Sequence, residues 1–167
     1  MIEFNTIVYT SKSGHTKRYA EMLGEITGKP VMTLSEAPSS LPTGSKILYM
    51  GWIHASNIKG YKQAAKQYSI PLVCGVGLCD TGTLLDEVRK ATGIPNDTLL
   101  FTLQGGMSND ALKGVDKLLI SMLTKGLESK KDRTEQDDRM LTLLKSDMDL
   151  VRKENLIDLL AAIQTNP

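Results

Sequence analysis

What most limits the folds open to this chain is an alternation. Short runs rich in β-branched and apolar residues are separated, again and again, by stretches with helical periodicity. Residues 4–10 read as a first strand, after which Tyr19, Ala20, Leu23 and Ile26 recur at helical spacing until Gly28. A brief second strand at 31–34 and a Ser-, Pro- and Gly-rich loop at 35–45 lead to 46–52. That last stretch is a near-continuous apolar run, the kind covered on both faces. The pattern predicts a helix over 57–68, a strand over 71–77, a helix over 83–91 ending at Gly93, and a strand over 98–103 closed by Gln104, Gly105 and Gly106. Beyond Asn109 and Asp110, the residues Leu112, Val115, Leu119 and Met122 mark a further helix. Leu156, Leu159, Leu160 and Ile163 mark a last one over 155–163. Between these two, residues 128–138 have mixed charge and no apolar member, and read as a mobile surface loop.

Five strands alternating with helices specify a parallel sheet with helices on both faces, because crossover connections in one sheet are right-handed. The 167 residues fit a single domain over 1–167. Ligands of such sheets bind beyond the carboxyl ends of the strands, where strand order reverses. Four loops therefore carry the functional question: those after residues 10, 51, 77 and 103.

Composition narrows the partners. Lys+Arg is 20 against Asp+Glu 19, a net charge of +1, so no global field points to nucleic acid or an anionic membrane. The apolar runs fall well short of the ~20 residues that span a bilayer, and no basic segment followed by an apolar one opens the chain. Cys74 and Cys79 do not make a secreted disulfide framework, and the expected compartment is the cytoplasm.

The loop after the first strand is the richest in chemistry. Ser11, Lys12, Ser13, Gly14, His15 and Thr16 run directly into a helix start. Backbone N–H groups, hydroxyls and the positive end of the helix dipole would converge there on a phosphate. The plainer reading is a helix cap by Ser13 or Thr16, which needs no ligand. The spacing is neither a Walker loop nor the dinucleotide fingerprint.

With Thr10, this segment resembles the [ST]-x-[ST]-G-x-T phosphate loop of the flavodoxins. The segment Leu103-Gln104-Gly105-Gly106-Met107, with Leu112, Lys113 and Gly114, is similar to the flavodoxin-domain family that includes menaquinone-dependent protoporphyrinogen oxidase. The resemblance implies a flavodoxin-like three-layer sandwich, with a five-stranded parallel sheet of order 2-1-3-4-5, and non-covalently bound FMN. It implies a ring-binding loop at Gly51, Trp52, Ile53, His54, Ala55 and Ser56, with Trp52 a few positions earlier than the flavodoxin Trp. Trp52 can therefore stack on the ring or pack at the strand end, in which case His54 and Ser56 would take the ring contact or the face would lie open to substrate. It also implies that Gly77, Leu78, Cys79 and Asp80 read the pyrimidine edge, with Thr83 where a stacking Tyr usually stands.

Cys74 reads as a small core residue, and Cys79 as packing or a redox thiol. His15 would add a donor beside the phosphate, and no metal site or catalytic triad is visible. Lys59, Lys62 and Lys66 fall on one face of the expected second helix, a solvated face or a surface for an acidic substrate or nicotinamide phosphate. The near-neutral charge weakens the reading of a pure electron carrier, which is usually acidic, and favours a small flavin-dependent oxidoreductase. The electron donor and acceptor stay open among NAD(P)H, a quinone and a protein. The alternatives are a single-electron carrier between redox proteins and a binding protein with a degenerate flavin site. A receiver domain is excluded because the first and third strands end in Thr10-Ser11 and Gly51-Trp52 rather than acids, and a low-molecular-weight phosphatase because no C-x5-R loop follows the first strand.

Overall fold

A computed structural model describes residues 2–108 and 113–165. The expected positions Asn109, Asp110 and Leu112 lie outside the described residues. The strands are β1 (Thr6–Thr10), β2 (Val31–Thr33), β3 (Lys46–His54), β4 (Asn57–Ile58), β5 (Ser69–Gly77), β6 (Leu99–Gln104), β7 (Gly106–Met107) and β8 (Met148–Asp149). The helices are α1 (His15–Thr27), α2 (Ala37–Ser40), α3 (Tyr61–Ala65), α4 (Leu85–Thr92), α5 (Val115–Ser129), α6 (Glu135–Lys145) and α7 (Ile157–Thr165), the last preceded by a 3-10 turn at Lys153–Leu156.

The chain is an α/β protein built on a mostly parallel central sheet. β2, β1, β3, β5 and β6 lie side by side in that order, all parallel, and β4 adds an antiparallel pairing to β3. The sheet therefore has six strands where five were expected. The extra one arises where a helix over 57–68 was anticipated. Ala55 and Ser56 turn the chain at φ 48° and 59°, and β3 folds back on itself as a hairpin. Ile58 N–H then donates to Thr92 Oγ1 at 3.0 Å, which fixes the hairpin to α4 and leaves only Tyr61–Ala65 to form a helix.

Strand side chains alternate between faces, and the core divides accordingly. Ile7, Tyr9, Leu48, Met50, Leu72, Cys74 and Val76 pack on one face with Tyr19, Ala20 and Leu23 of α1 and with Leu156 and Leu159 near the C-terminus. Val8, Ile47, Tyr49 and Val73 pack on the other with Ala37, Tyr61, Ala64 and Val88 of α2 to α4. Each fully buried aliphatic side chain contributes roughly 1.5–3 kcal/mol of transfer free energy. Tyr19, wholly buried, donates its hydroxyl to the Gln104 carbonyl at 2.5 Å and accepts from Asn155 Nδ2 at 2.6 Å. One phenol thus ties α1 to the end of β6 and to the turn before α7.

The segment 128–138 is only partly a loop: residues 130–134 connect two helices that take up the rest. Its start belongs to α5, and α6 begins at Glu135. Thr134 accepts from Asp137 N–H and the Asp137 carboxylate accepts from Thr134 N–H, a reciprocal capping box. Lys130 to Asp137 at 2.6 Å and Lys145 to Glu128 at 2.5 Å brace the turn. Among the described residues, no helix is long and apolar enough to cross a membrane.

Candidate functional site

β1, β3 and β5 end at one edge of the sheet, and a cleft opens over their carboxyl ends. Lys12, Ser13, His15, Thr16, Trp52, Ile53, His54, Gly77 and Leu78 line it from the first three candidate loops. Its free volume is about 150 Å3. A second cavity of about 190 Å3 shares Ile53, Gly77 and Leu78 with it and adds Ser56, Cys79, Asp80 and Thr83. The two cavities are therefore adjacent. Ser11 and Gly14 face the opposite side of their loop, toward Thr33 and Ser35. Gly51 is buried: a Cβ there would lie 2.5 Å from the Lys59 carbonyl where the hairpin returns. Ala55 is exposed at the hairpin tip, away from both cavities.

The start of α1 has neither of the side-chain caps that the sequence offered. Gly14 is its N-cap at φ 92°, in the left-handed region open to glycine, and no side chain caps the helix. Ser11 Oγ accepts from Gly14 N–H at 3.2 Å, and Ser13 Oγ pairs with His15 Nδ1 at 2.7 Å. Of the two hydroxyls expected as caps, Ser13 is used elsewhere and Thr16 does not cap, so a 13-residue helix presents an uncapped positive end beside the cleft. Thr16 follows in the first turn of α1. It is 1% exposed, at the cleft wall.

Trp52 does not pack into the core. It is half-buried on the cleft, with Lys12 Nζ 5.1 Å from its ring centroid on one approach, Lys59 Nζ at 5.9 Å, and the His54 ring edge-on at 5.6 Å. Lys59 therefore belongs to this cluster rather than to a helical lysine face, and Lys62 alone of the expected stripe lies within α3. Burial pulls the His54 pKa below 6.5, with Lys59 and Lys12 adding to the effect. Burial likewise lowers His15. At neutral pH both rings are uncharged. His54 Nε2 lies 3.3 Å from Asp116 Oδ1, a close contact between ring and carboxylate rather than an ion pair while the ring is neutral.

Sequence reasoning pointed to the loop after residue 103 but assigned no residue of the far wall to the site. Gly106, Met107, Ser108, Asp116, Leu119 and Ile120 close the cleft from β7 and α5. The Gly105-Gly106 pair flagged the first of these. Gly105 N–H donates to the Gly77 carbonyl at 2.8 Å, and a Cβ on Gly105 would come within 2.7 Å of Val76. Two glycines let the chain leave β6 tightly against β5 and α1. Asp116 had no such signal, because Lys12, its partner, lies 104 positions away.

Cys74 is buried, and its thiol pKa is pushed up by that burial. Cys79, half-buried in the second cavity, is also pushed up, by burial first and then by Asp80 and Glu87. Both are held as thiols, which is unlike a redox-active cysteine. Gln104 Nε2 donates to the Leu78 carbonyl at 3.1 Å and to Asp80 Oδ1 at 3.2 Å, fixing the third loop. What the fold and cleft define is an α/β protein with an apolar groove, an uncapped helix terminus at one end and polar loop backbone at the other. The chain matches no protein-family profile, and no curated protein matches it.

Proposed function

We propose that this chain is a flavodoxin-like flavoprotein that binds FMN non-covalently and uses it for electron or hydride transfer. The uncapped start of α1, set beside a cleft with a half-buried Trp at the carboxyl ends of parallel strands, carries the reading. An anion at that terminus would meet backbone N–H groups and the hydroxyls of Ser13 and Thr16. FMN, when bound, supplies the redox chemistry through its ring. The chain's own residues would hold and enclose it: Lys12, Ser13 and Thr16 at the phosphate, Trp52 and His54 beside the ring, and the backbone of Gly77 to Asp80 at its polar edge.

The residues suit the ligand, but the cleft is narrow. Pockets that enclose a ligand of drug size run to roughly 300–1,000 Å3, and this one offers about 150 Å3. Binding therefore requires Asp116 to release Lys12 and His54 and α5 to move outward. The adjacent second cavity, which shares Ile53, Gly77 and Leu78 as lining, would accept the remainder. The donor and acceptor are drawn from NAD(P)H, a quinone or a protein, and the near-neutral charge favours an enzyme over a carrier.

The test is a fluorescence-quenching titration of the purified protein with FMN and with riboflavin. FMN should bind more tightly, because riboflavin lacks the phosphate and its charge-assisted hydrogen bonds. Equal affinities, or no quenching by either, would overturn the reading.

A further inference from the structure

The outward face of α5 is apolar. Val115, Leu118, Leu119, Met122 and Leu123 recur at i, i+3, i+4, i+7 and i+8, and are 71, 61, 44, 62 and 48% exposed. They form one stripe along a four-turn helix, and α5 has no buried residue. A stripe of this kind normally faces a core. Here the opposite side does that work, through Asp116 and Ile120 on the cleft and the half-buried Thr124 and Leu127.

Charge is distributed unevenly around the stripe. Both acids of α5 are engaged, Asp116 with Lys12 and Glu128 with Lys145. The basic residues Lys113, Lys117 and Lys125 are exposed on or next to the same helix, and Lys131 follows it. A near-neutral protein thus carries a local basic, apolar surface beside its cleft.

We propose that α5 is an interfacial helix that docks this protein on an anionic lipid surface, its apolar stripe at the acyl boundary and its lysines at the headgroups. It lies on the membrane rather than crossing it, since it is too short and too polar to span. A second copy of the chain is a poorer occupant. Fifteen residues give a strip about 22 Å long and ~10 Å wide, on the order of 200 Å2, against roughly 800 Å2 per partner in a stable dimer. A lipid surface sets no such minimum area. Leu119 belongs both to the stripe and to the cleft wall, so docking would bring the cleft to the lipid surface.

This inference does not depend on the flavin reading, and its test needs no flavin. The full chain is sedimented with phosphatidylcholine vesicles and with vesicles of phosphatidylcholine and phosphatidylglycerol. It should pellet with the anionic vesicles and stay largely in solution with the neutral ones. A double variant, Leu118→Gln and Met122→Gln, keeps helix propensity and touches only exposed positions; it should partition at least ~tenfold more weakly. Lys117→Gln and Lys125→Gln should each weaken binding about fivefold on anionic vesicles alone. Circular dichroism of every variant should match the wild type. No pelleting with either vesicle, or pelleting that the double variant leaves unchanged, overturns the proposal. So does a concentration-dependent dimer in sedimentation equilibrium that Met122→Gln abolishes, which would make a second copy the occupant.

Discussion

Asp116, in the first turn of α5, reaches across the cleft to Lys12 in the loop after β1, and its other oxygen lies 3.3 Å from His54 Nε2 at the end of β3. One carboxylate thus pins α5 to two of the three loops that form the cleft. The Lys12 and Asp116 side chains are 35 and 25% exposed. Solvent screens such a pair, so the contact is a weak latch rather than a structural bolt.

Replacing Asp116 with Asn should therefore have opposite effects on stability and on ligand. The unfolding free energy should fall by less than ~1 kcal/mol, because partly exposed pairs contribute little. FMN affinity should rise by up to about fivefold, since Lys12 is freed and a negative charge leaves the neighbourhood of the phosphate. Paired denaturation and quenching titrations measure both. Weaker FMN binding by the variant would mean that Asp116 helps to hold the ligand instead of competing with it.

The two histidines set a pH dependence whose sign follows from burial. His15 and His54 both have folded-state pKa values below 6.5. Above that pH neither state binds the proton, and the pair contributes nothing to the slope. Below it the unfolded chain protonates first, so this contribution lowers stability until the folded-state values are passed. Imidazole NMR titration should give midpoints below 6.5 for both rings. Replacing both with Gln should flatten the stability change between about pH 7.5 and about pH 5.5. A midpoint above 6.5 at His54 would show that Asp116 outweighs desolvation there.

The main strands were legible because their apolar runs exceed anything a surface element tolerates. β4 was not: it has two residues, Asn57 and Ile58, and depends on positive φ at Ala55 and Ser56, neither of which is glycine. α6 was hidden for a different reason. Its first turn is Glu135, Gln136, Asp137 and Asp138, so the polar stretch before Met140 read as loop although it opens with a capping box. The site divided along similar lines. Residues on the first three loops were reachable through the rule that ligands sit at the carboxyl ends of parallel strands. The wall made by α5 was out of reach, because its exposed stripe and its cleft-facing side carry the same helical spacing.

Two glycines separate backbone necessity from mere propensity. Gly106 sits at φ 143°, and a Cβ there would collide with the Met148 carbonyl oxygen. Gly106→Ala should cost ~1–3 kcal/mol and disturb the β7–β8 pairing. Gly126 lies inside α5, where an added Cβ would meet nothing within 4 Å, and its helical backbone suits alanine. Gly126→Ala should stabilise by about 0.5–1 kcal/mol. Urea midpoints of the two variants check both signs; a neutral Gly106→Ala would show that β7 does not need its present path.

Thr16 offers the sharpest test of the phosphate cradle. It lies in the first turn of α1, 1% exposed, on the cleft wall. The helix has no side-chain cap, so the hydroxyl is not employed at the N-terminus in the way a capping threonine would be. Thr16→Val keeps the shape and β-branching and removes only the hydroxyl. If that group bonds a dianionic phosphate, its loss should weaken FMN binding by roughly 1.5–3 kcal/mol, about ten- to a hundredfold. Riboflavin binding should barely change. Because the residue is buried and Val is apolar, the fold should be unaffected or slightly more stable, whereas loss of a true cap would cost ~1 kcal/mol. Both dissociation constants and the melting midpoint of the ligand-free variant decide the matter. An unchanged FMN constant with a lowered midpoint would assign Thr16 to the helix start and remove it from the cradle.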